Sequence, residues 1–338
     1  MSTALVTGGA GFVGAALTKQ LLANGDKVTV LDATPAERAL RLGDAIDEVD
    51  YQEVDLRDRD ALAGVLSGSW DQIYHLAAVV GVDRYMSDPM ALLDINVLAS
   101  REIIRAAAEQ GSRLMFASTS EIYGRNPAVP WREDDDRVLG PPSVSRWSYA
   151  SSKAMVEHML FAERLASGLP FVTVRFFNVY GPGQEPRFLV SRTLHRVLNG
   201  QPALRYDGGA QTRCFTYLDD AVSGVLAAVN SPQAEGRAFN IGSGFEHSAG
   251  EVVQSVVDRV PGAGILDVET QSMYGQDYED IQRRVPDCTA ALETFGWKAT
   301  TPLAVGVAES LAWAQANPWW AALPLVTTGK ADRMPAEV

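Results

Sequence analysis

Short β-branched and apolar runs alternate with longer stretches of helical period through the first half of the chain. The runs are ALVT (4–7), KVTVLD (27–32), QIYHLAA (72–78), RLMFAST (113–119) and FVTVRFF (171–177). Between them lie helical patterns such as FVGAALTKQLLANG, ALLDINVLASREIIRAAAEQG and YASSKAMVEHMLFAERLASG; Gly25 and Gly111 close two of these as C-cap glycines. Strand and helix in turn predict an α/β fold built on a doubly wound parallel sheet. After Gly181, Pro182 and Gly183 the rhythm loosens. Residues 1–177 are therefore expected to form the sheet domain and 178–325 a smaller C-terminal substrate-binding region. About 213–243 is expected to return to the first domain, with RAFNIGSG (237–244) as one more buried strand. Residues 326–338 read as a flexible tail.

Composition narrows the partners. The 338 residues carry a net charge of −13 with no Lys/Arg-rich block, which argues against nucleic acid or an anionic membrane. Two cysteines, Cys214 and Cys288, offer neither a disulfide framework nor metal-knuckle spacing, and a reducing cytoplasm fits. The N-terminus has no signal-peptide pattern and no apolar run reaches the ~18 residues of a membrane span. A cytoplasmic enzyme or binding protein is expected. WREDDD (131–136) reads as a solvated acidic loop, and the four histidines lack ligand spacing, so no metal is expected.

The first candidate chemistry is TGGAGFVG. Gly8, Gly11 and Gly14 lie between a strand and a helix, around Phe12 and Val13, and Asp32 ends the next strand. Strand, turn, helix, strand and acid in that order make a Rossmann-type dinucleotide fingerprint. The glycines let backbone N–H groups and the helix N-terminus approach a pyrophosphate, while Asp32 accepts from a ribose 2′-OH. A 2′-phosphate would meet that carboxylate unfavourably, which favours NAD over NADP. Asp55 is placed either at the adenine edge or in solvent as an ordinary loop acid.

Tyr149 and Lys153 in YASSK stand four apart on the third helical pattern, hence on one face. A lysine ammonium there favours the phenolate and could hold a nicotinamide ribose, turning a phenol into a base near neutral pH. Such pairs also occur as surface neighbours. The cofactor fingerprint and the hydroxyl run Ser118, Thr119, Ser120 shift the balance toward chemistry.

On these residues the chain resembles the extended short-chain dehydrogenase/reductase family, specifically its NAD-dependent nucleotide-sugar epimerases, dehydratases and decarboxylases. The likeness runs through TGGAGFVG, HLAA (75–78), Asn96 in DINV, STSEIYG, YASSK, RFFNVYGPG (175–183), RCFTYLDD (213–220) and RRVPD (283–287). By this resemblance Thr119, Tyr149 and Lys153 are the proton-transfer set at the sugar C4 hydroxyl. Leu56 and Ala77 would line the cofactor beside the residues already named. Asn96 would support the lysine, or merely satisfy nearby backbone. Ser120, Asn178, Arg187, Arg213 and Arg284 would meet a nucleotide sugar, UDP-linked, with Asn178 and Arg213 at its diphosphate. Related enzymes pair as homodimers through two helices like 91–110 and 149–167; packing on the sheet alone is the other reading of those apolar faces.

Positions 119–121 separate the chemistries within that resemblance. Members that make 4-keto-6-deoxy sugars carry Asp then Glu after the hydroxyl residue, and Ser120 cannot supply that acid. Simple 4-epimerases need no carboxylate beside C5. Thr119-Ser120-Glu121 resembles the UDP-glucuronate decarboxylases, with Glu121 acting at C5; alternatively Glu121 pairs an arginine. Arg284 would hold either the substrate carboxylate or the diphosphate. Decarboxylation leads, ahead of 4-epimerisation and 5,6-elimination. A dehydrogenase that consumes NAD and a non-catalytic NAD sensor complete the set of expectations.

Overall fold

The computed structural model describes residues 1–81, 88–270 and 281–325. The expected tail, 326–338, lies outside the described residues. One sheet holds β1 (Thr3–Thr7), β2 (Lys27–Asp32), β3 (Asp50–Glu53), β4 (Gln72–His75), β5 (Arg113–Thr119) and β6 (Phe171–Phe176). Its seventh member, β11 (Arg237–Ile241), lies beside β6, giving the order β11-β6-β5-β4-β1-β2-β3 with every pairing parallel. Strand β3 (DYQE) escaped the sequence reading because it is a short edge strand, partly exposed along its length.

The apolar runs serve two cores at once, because successive side chains on a strand point to opposite faces. Ala4, Val6, Val28, Val30, Val172 and Val174 meet one helical layer, from helices Phe12–Ala23 and Leu218–Asn230. Leu5, Leu31, Ile73, Leu114, Phe116 and Phe171 meet the other, from helices Arg59–Leu66, Ser100–Gln110 and Arg146–Ser167. Each of these side chains larger than alanine is worth roughly 1.5–3 kcal/mol of transfer free energy, so a strand covered on both faces holds its register firmly.

Strand order reverses between β1 and β4: the chain runs outward through β2 and β3, then returns to start β4. The crevice at the carboxyl ends of such neighbours is where open α/β sheets bind ligands.

Beyond β6 the chain builds smaller pieces. β7 (Val179–Tyr180) pairs β10 (Thr216–Tyr217), and β8 (Ala203–Tyr206) pairs β13 (Ile265–Val268). β9 (Thr212–Cys214) lies between antiparallel β12 (Glu246–Ser248) and parallel β14 (Arg283–Arg284). Helices Leu189–Leu198, Ala249–Val257 and Leu303–Ala316 close a third apolar cluster that includes Trp320, edge-on to Trp313. Register in β14 and β9 makes Arg284 and Arg213 direct neighbours.

Candidate active site

The glycine turn is built for close approach. Gly8 has φ +74°, and a Cβ there would lie 2.8 Å from the Ala77 nitrogen; one on Gly14 would lie 2.0 Å from the Gly8 oxygen. Gly11 is the N-cap of helix Phe12–Ala23, with no side chain of its own to cap it, so the helix's first N–H groups face the crevice. Asp32 is held in place, one carboxylate oxygen accepting from Ala10 N–H at 3.0 Å and the other from Thr34 N–H at 2.9 Å. Leu56 is buried. Asp55 is clamped by Arg57, with hydrogen bonds of 3.0 and 2.6 Å, and this partner holds its carboxyl below the usual range. The donor set suits an NAD pyrophosphate and ribose: a bare turn, a helix N-terminus and a fixed carboxylate.

Helix Arg146–Ser167 carries Tyr149 and Lys153 inward against the end of β5. Tyr149 is 8 % exposed and Lys153 3 %. Lys153 Nζ donates to the Ala117 carbonyl at 2.7 Å and lies 4.7 Å from the Phe116 ring centroid. Burial pushes this ammonium down to about 7, against an opposing pull from Glu157. Tyr149 departs from expectation. Burial, then the Glu121 charge, push its phenol above the ordinary value, and a hydrogen bond with Thr119 offsets only part. Its resting form is the phenol because a wholly enclosed phenolate lacks solvent.

Asn96 falls in a π-helical stretch, Asp94–Ala99, where an extra residue re-aims side chains. Its amide accepts from Val79 N–H at 2.8 Å and donates to Ser152 at 3.3 Å, tying the loop after β4 to the Tyr149 helix. Of the two roles expected of it, these contacts are those of the backbone one; its reach toward the lysine helix is through Ser152.

Thr119 ends β5, and its hydroxyl accepts from Glu121 N–H at 3.2 Å, capping the 3₁₀ turn Ser120–Tyr123. Ser120 is buried within that turn. Glu121 meets Arg284 at 2.5 Å and Arg146 at 3.6 Å. Burial would raise its pKa, but Arg284, Arg146 and Arg213 together hold it below the usual carboxylate range. Glu121 is thus an ionised group at neutral pH, a proton acceptor rather than a donor.

Asn178, in the left-handed region at φ 40°, shares a cleft with Arg213, Arg192, Tyr206 and Phe215, and its side-chain amide donates to the Cys214 carbonyl at 3.1 Å. Arg187 pairs instead with Glu185 at 2.6 Å and is not among the residues lining that cleft. Sequence reasoning passed over Arg146, which is 5 % exposed and three residues before Tyr149. Its i, i+3 spacing on the catalytic helix was the available signal.

A glycine-turn crevice beside an inward Tyr/Lys pair on a doubly wound parallel sheet defines a Rossmann-type class of dinucleotide-using enzymes. Comparison with known proteins narrows it. Residues 4–242 match the NAD dependent epimerase/dehydratase family, and the chain belongs to that family. It is similar to UDP-N-acetyl-alpha-D-glucosaminuronate decarboxylase of Bacillus cytotoxicus, at 33 % identity over 91 % of this chain and 96 % of the relative. UDP-glucuronic acid decarboxylase 1 of Xenopus tropicalis is 31 % identical over 91 % of this chain and 70 % of its own. Among solved structures, Thermus thermophilus UDP-glucose 4-epimerase in complex with NAD superposes with TM-score 0.80 at 27 % identity, covering 93 % and 99 % of the two chains. The chain is an enzyme of this family, and NAD is its cofactor.

Proposed function

We propose that the enzyme decarboxylates a UDP-linked uronic acid through transient oxidation at C4, releasing a UDP-pentose or its 4-keto form. The observation that carries this reading is the set of three arginines acting on one carboxylate beside Thr119 and Tyr149. A sugar with a neutral C6 hydroxymethyl has no need of such positive charge; a C6 carboxylate does. The two decarboxylase relatives support it.

NAD, when bound, supplies the two-electron acceptor for C4. Thr119 holds the C4 oxygen, and Tyr149 takes its proton once the phenol has itself ionised, a step the Lys153 charge favours. The product of that step is a β-keto acid. With Arg284 and Arg146 gripping the carboxylate out of the ketone plane, the C5–C6 bond breaks and its electrons pass into the C4 carbonyl. Thr119 and Tyr149 donate to the enolate oxygen that forms. Ionised Glu121 orients the water that protonates the enolate at C5, and the proton Tyr149 took from the C4 hydroxyl makes good the one the water gave. Release then leaves the 4-keto sugar, whereas the UDP-pentose would need the hydride back at C4. The cleft at Asn178 and Arg213, within residues 178–325, takes the UDP end.

The Glu121–Arg284 pair also closes within the protein, and that favours 4-epimerisation of a UDP-sugar as the second reading. Incubation with UDP-glucuronate, UDP-N-acetylglucosaminuronate and UDP-glucose, followed by NMR, separates them. Carbon dioxide with a pentose signal is the expected result. A galacto-configured product with all six carbons retained would replace the first reading by the second.

A further inference from the structure

Tyr149, Lys153 and Glu157 are spaced i, i+4 and i+8, one stripe along helix Arg146–Ser167 that turns into the sheet. Glu157 is 5 % exposed and has no part in the chemistry above. Its carboxylate takes the Ser118 hydroxyl and a two-pronged grip from Arg175, Nε at 3.0 Å and Nη2 at 2.6 Å. Arg175 is in turn fixed by the Tyr123 hydroxyl at 2.8 Å and the Glu133 carbonyl at 2.7 Å, and Tyr123 donates to Asn240 at 2.7 Å. This answers for Ser118, the first of the three hydroxyls: strand alternation turns it away from Thr119 toward the helix.

We propose that Glu157 is a positioning residue for the Tyr149–Lys153 pair: clamped by Arg175 and Ser118, its carboxylate is the counter-charge that lets the buried Lys153 hold its proton up to neutral pH beside the phenol. The described groups around Lys153 fit that assignment. From β5 come the Ala117 carbonyl and Ser118. From β4 comes His75, held between Thr7 and Ser100 and kept neutral by burial, so it offers no negative charge. From β6 comes Arg175, positive and committed to Glu157. The π-helical stretch brings only the neutral Asn96. Glu121 acts on Tyr149 and is gathered by Arg284 and Arg146. Among the described groups, Glu157 is the anion that acts on the lysine. With Glu157 present the buried ammonium gives up its proton at about 7; without it the proton would leave well below neutral pH, and the phenol would lose the charge that favours its ionisation.

The inference rests on Tyr149 being the proton acceptor, and its test does not depend on turnover. The phenolate of Tyr149 is titrated by ultraviolet difference absorbance in the NAD-loaded protein, with Tyr149→Phe subtracted. Glu157→Gln should raise the apparent Tyr149 pKa by a unit or more. A bare negative charge acting directly on the phenol would give the opposite sign on removal. Arg175→Gln breaks the same ion pair but leaves the carboxylate, so it should leave the Tyr149 pKa unchanged or lower it. Glu157→Gln/Arg175→Gln, which keeps the buried charge balanced, should repeat the rise if the single variant fails to fold. In kinetics Glu157→Gln should lower kcat about tenfold with KM nearly unchanged, and Glu157→Asp should recover part of it. An unchanged or lowered Tyr149 pKa in the folded Glu157 variants, or equal shifts in Glu157→Gln and Arg175→Gln, would overturn the proposal. Loss of turnover in Tyr149→Phe tests the underlying reading separately.

Discussion

At the scale of residues, the site sets three charges against one another in very little water. In the proposed mechanism the C4 proton passes through Tyr149, so Tyr149→Phe should reduce kcat by about 10²–10⁴ while KM changes little. Full turnover in that variant would remove the C4 oxidation from the mechanism. Arg284 divides the two roles left open in the sequence. Losing one partner of a buried charge pair costs roughly 2–5 kcal/mol, about 30-fold or more in affinity. Arg284→Gln should therefore weaken a UDP-uronate at least that much more than UDP-glucose. Equal losses for both ligands would assign Arg284 to the diphosphate. Lys153 carries a linkage of definite sign. Its ordinary pKa of 10.5 falls to about 7 on folding, so between those values the unfolded chain holds a proton that the folded chain has released. Stability from this residue rises with pH across that window, by about 1.4 kcal/mol per unit, and is lost as pH falls toward 7. Denaturant titrations of the NAD-free protein at pH 7.5, 8.5 and 9.5 should show wild type gaining on Lys153→Met at that slope. A flat difference would mean that Lys153 keeps its ordinary pKa.

At the scale of elements, glycines of two kinds behave differently on substitution. Gly111 closes helix Ser100–Gln110 in the left-handed region at φ 70°, and a Cβ there would meet nothing within 4 Å. Gly111→Ala should cost only the backbone strain, about 1–2 kcal/mol, seen as a lower Tm with NAD affinity retained. Gly14→Ala drives a methyl into the Gly8 carbonyl and should abolish NAD binding in calorimetry; an affinity within tenfold of wild type would show that the turn yields. The apolar strand runs and the glycine turn were legible because each follows from a local rule, period or positive φ. That Glu121 pairs an arginine was among the expectations; which arginines it meets was not legible. Arg146, Arg213 and Arg284 stand apart in sequence and meet only because β14 pairs β9 and the Tyr149 helix starts beside β5. Periodicity carries no information about that meeting. The downward push of Lys153 on Tyr149 was expected from spacing alone, and it missed the desolvation that only a closed site imposes.

At the scale of the whole molecule, the layer opposite helices Phe12–Ala23 and Leu218–Asn230 is finished on one side only. Helix Arg146–Ser167 buries Tyr149, Ala150, Lys153, Val156 and Leu160, yet presents Met155, Ala162 and Leu165 outward at i, i+7 and i+10, with His158 between them bound to Arg137. Leu165 is 90 % exposed and Met155 50 %, and on the neighbouring helical layer Met90 and Leu98 are 64 % and 45 % exposed. An apolar stripe on two adjacent helices is more than scattered surface leucines require. We propose that a second copy of the chain covers it, two helices from each copy forming a four-helix seam about a twofold axis. The seam would lie on the back of the helix that carries Tyr149 and Lys153, so pairing would stiffen the catalytic stripe without adding a residue to it. Sedimentation should give a dimer, and Met155→Glu with Leu165→Glu should give a folded monomer with NAD affinity kept and kcat lowered. A wild-type monomer at micromolar concentration, or a dimer indifferent to both glutamates, would place the interface elsewhere.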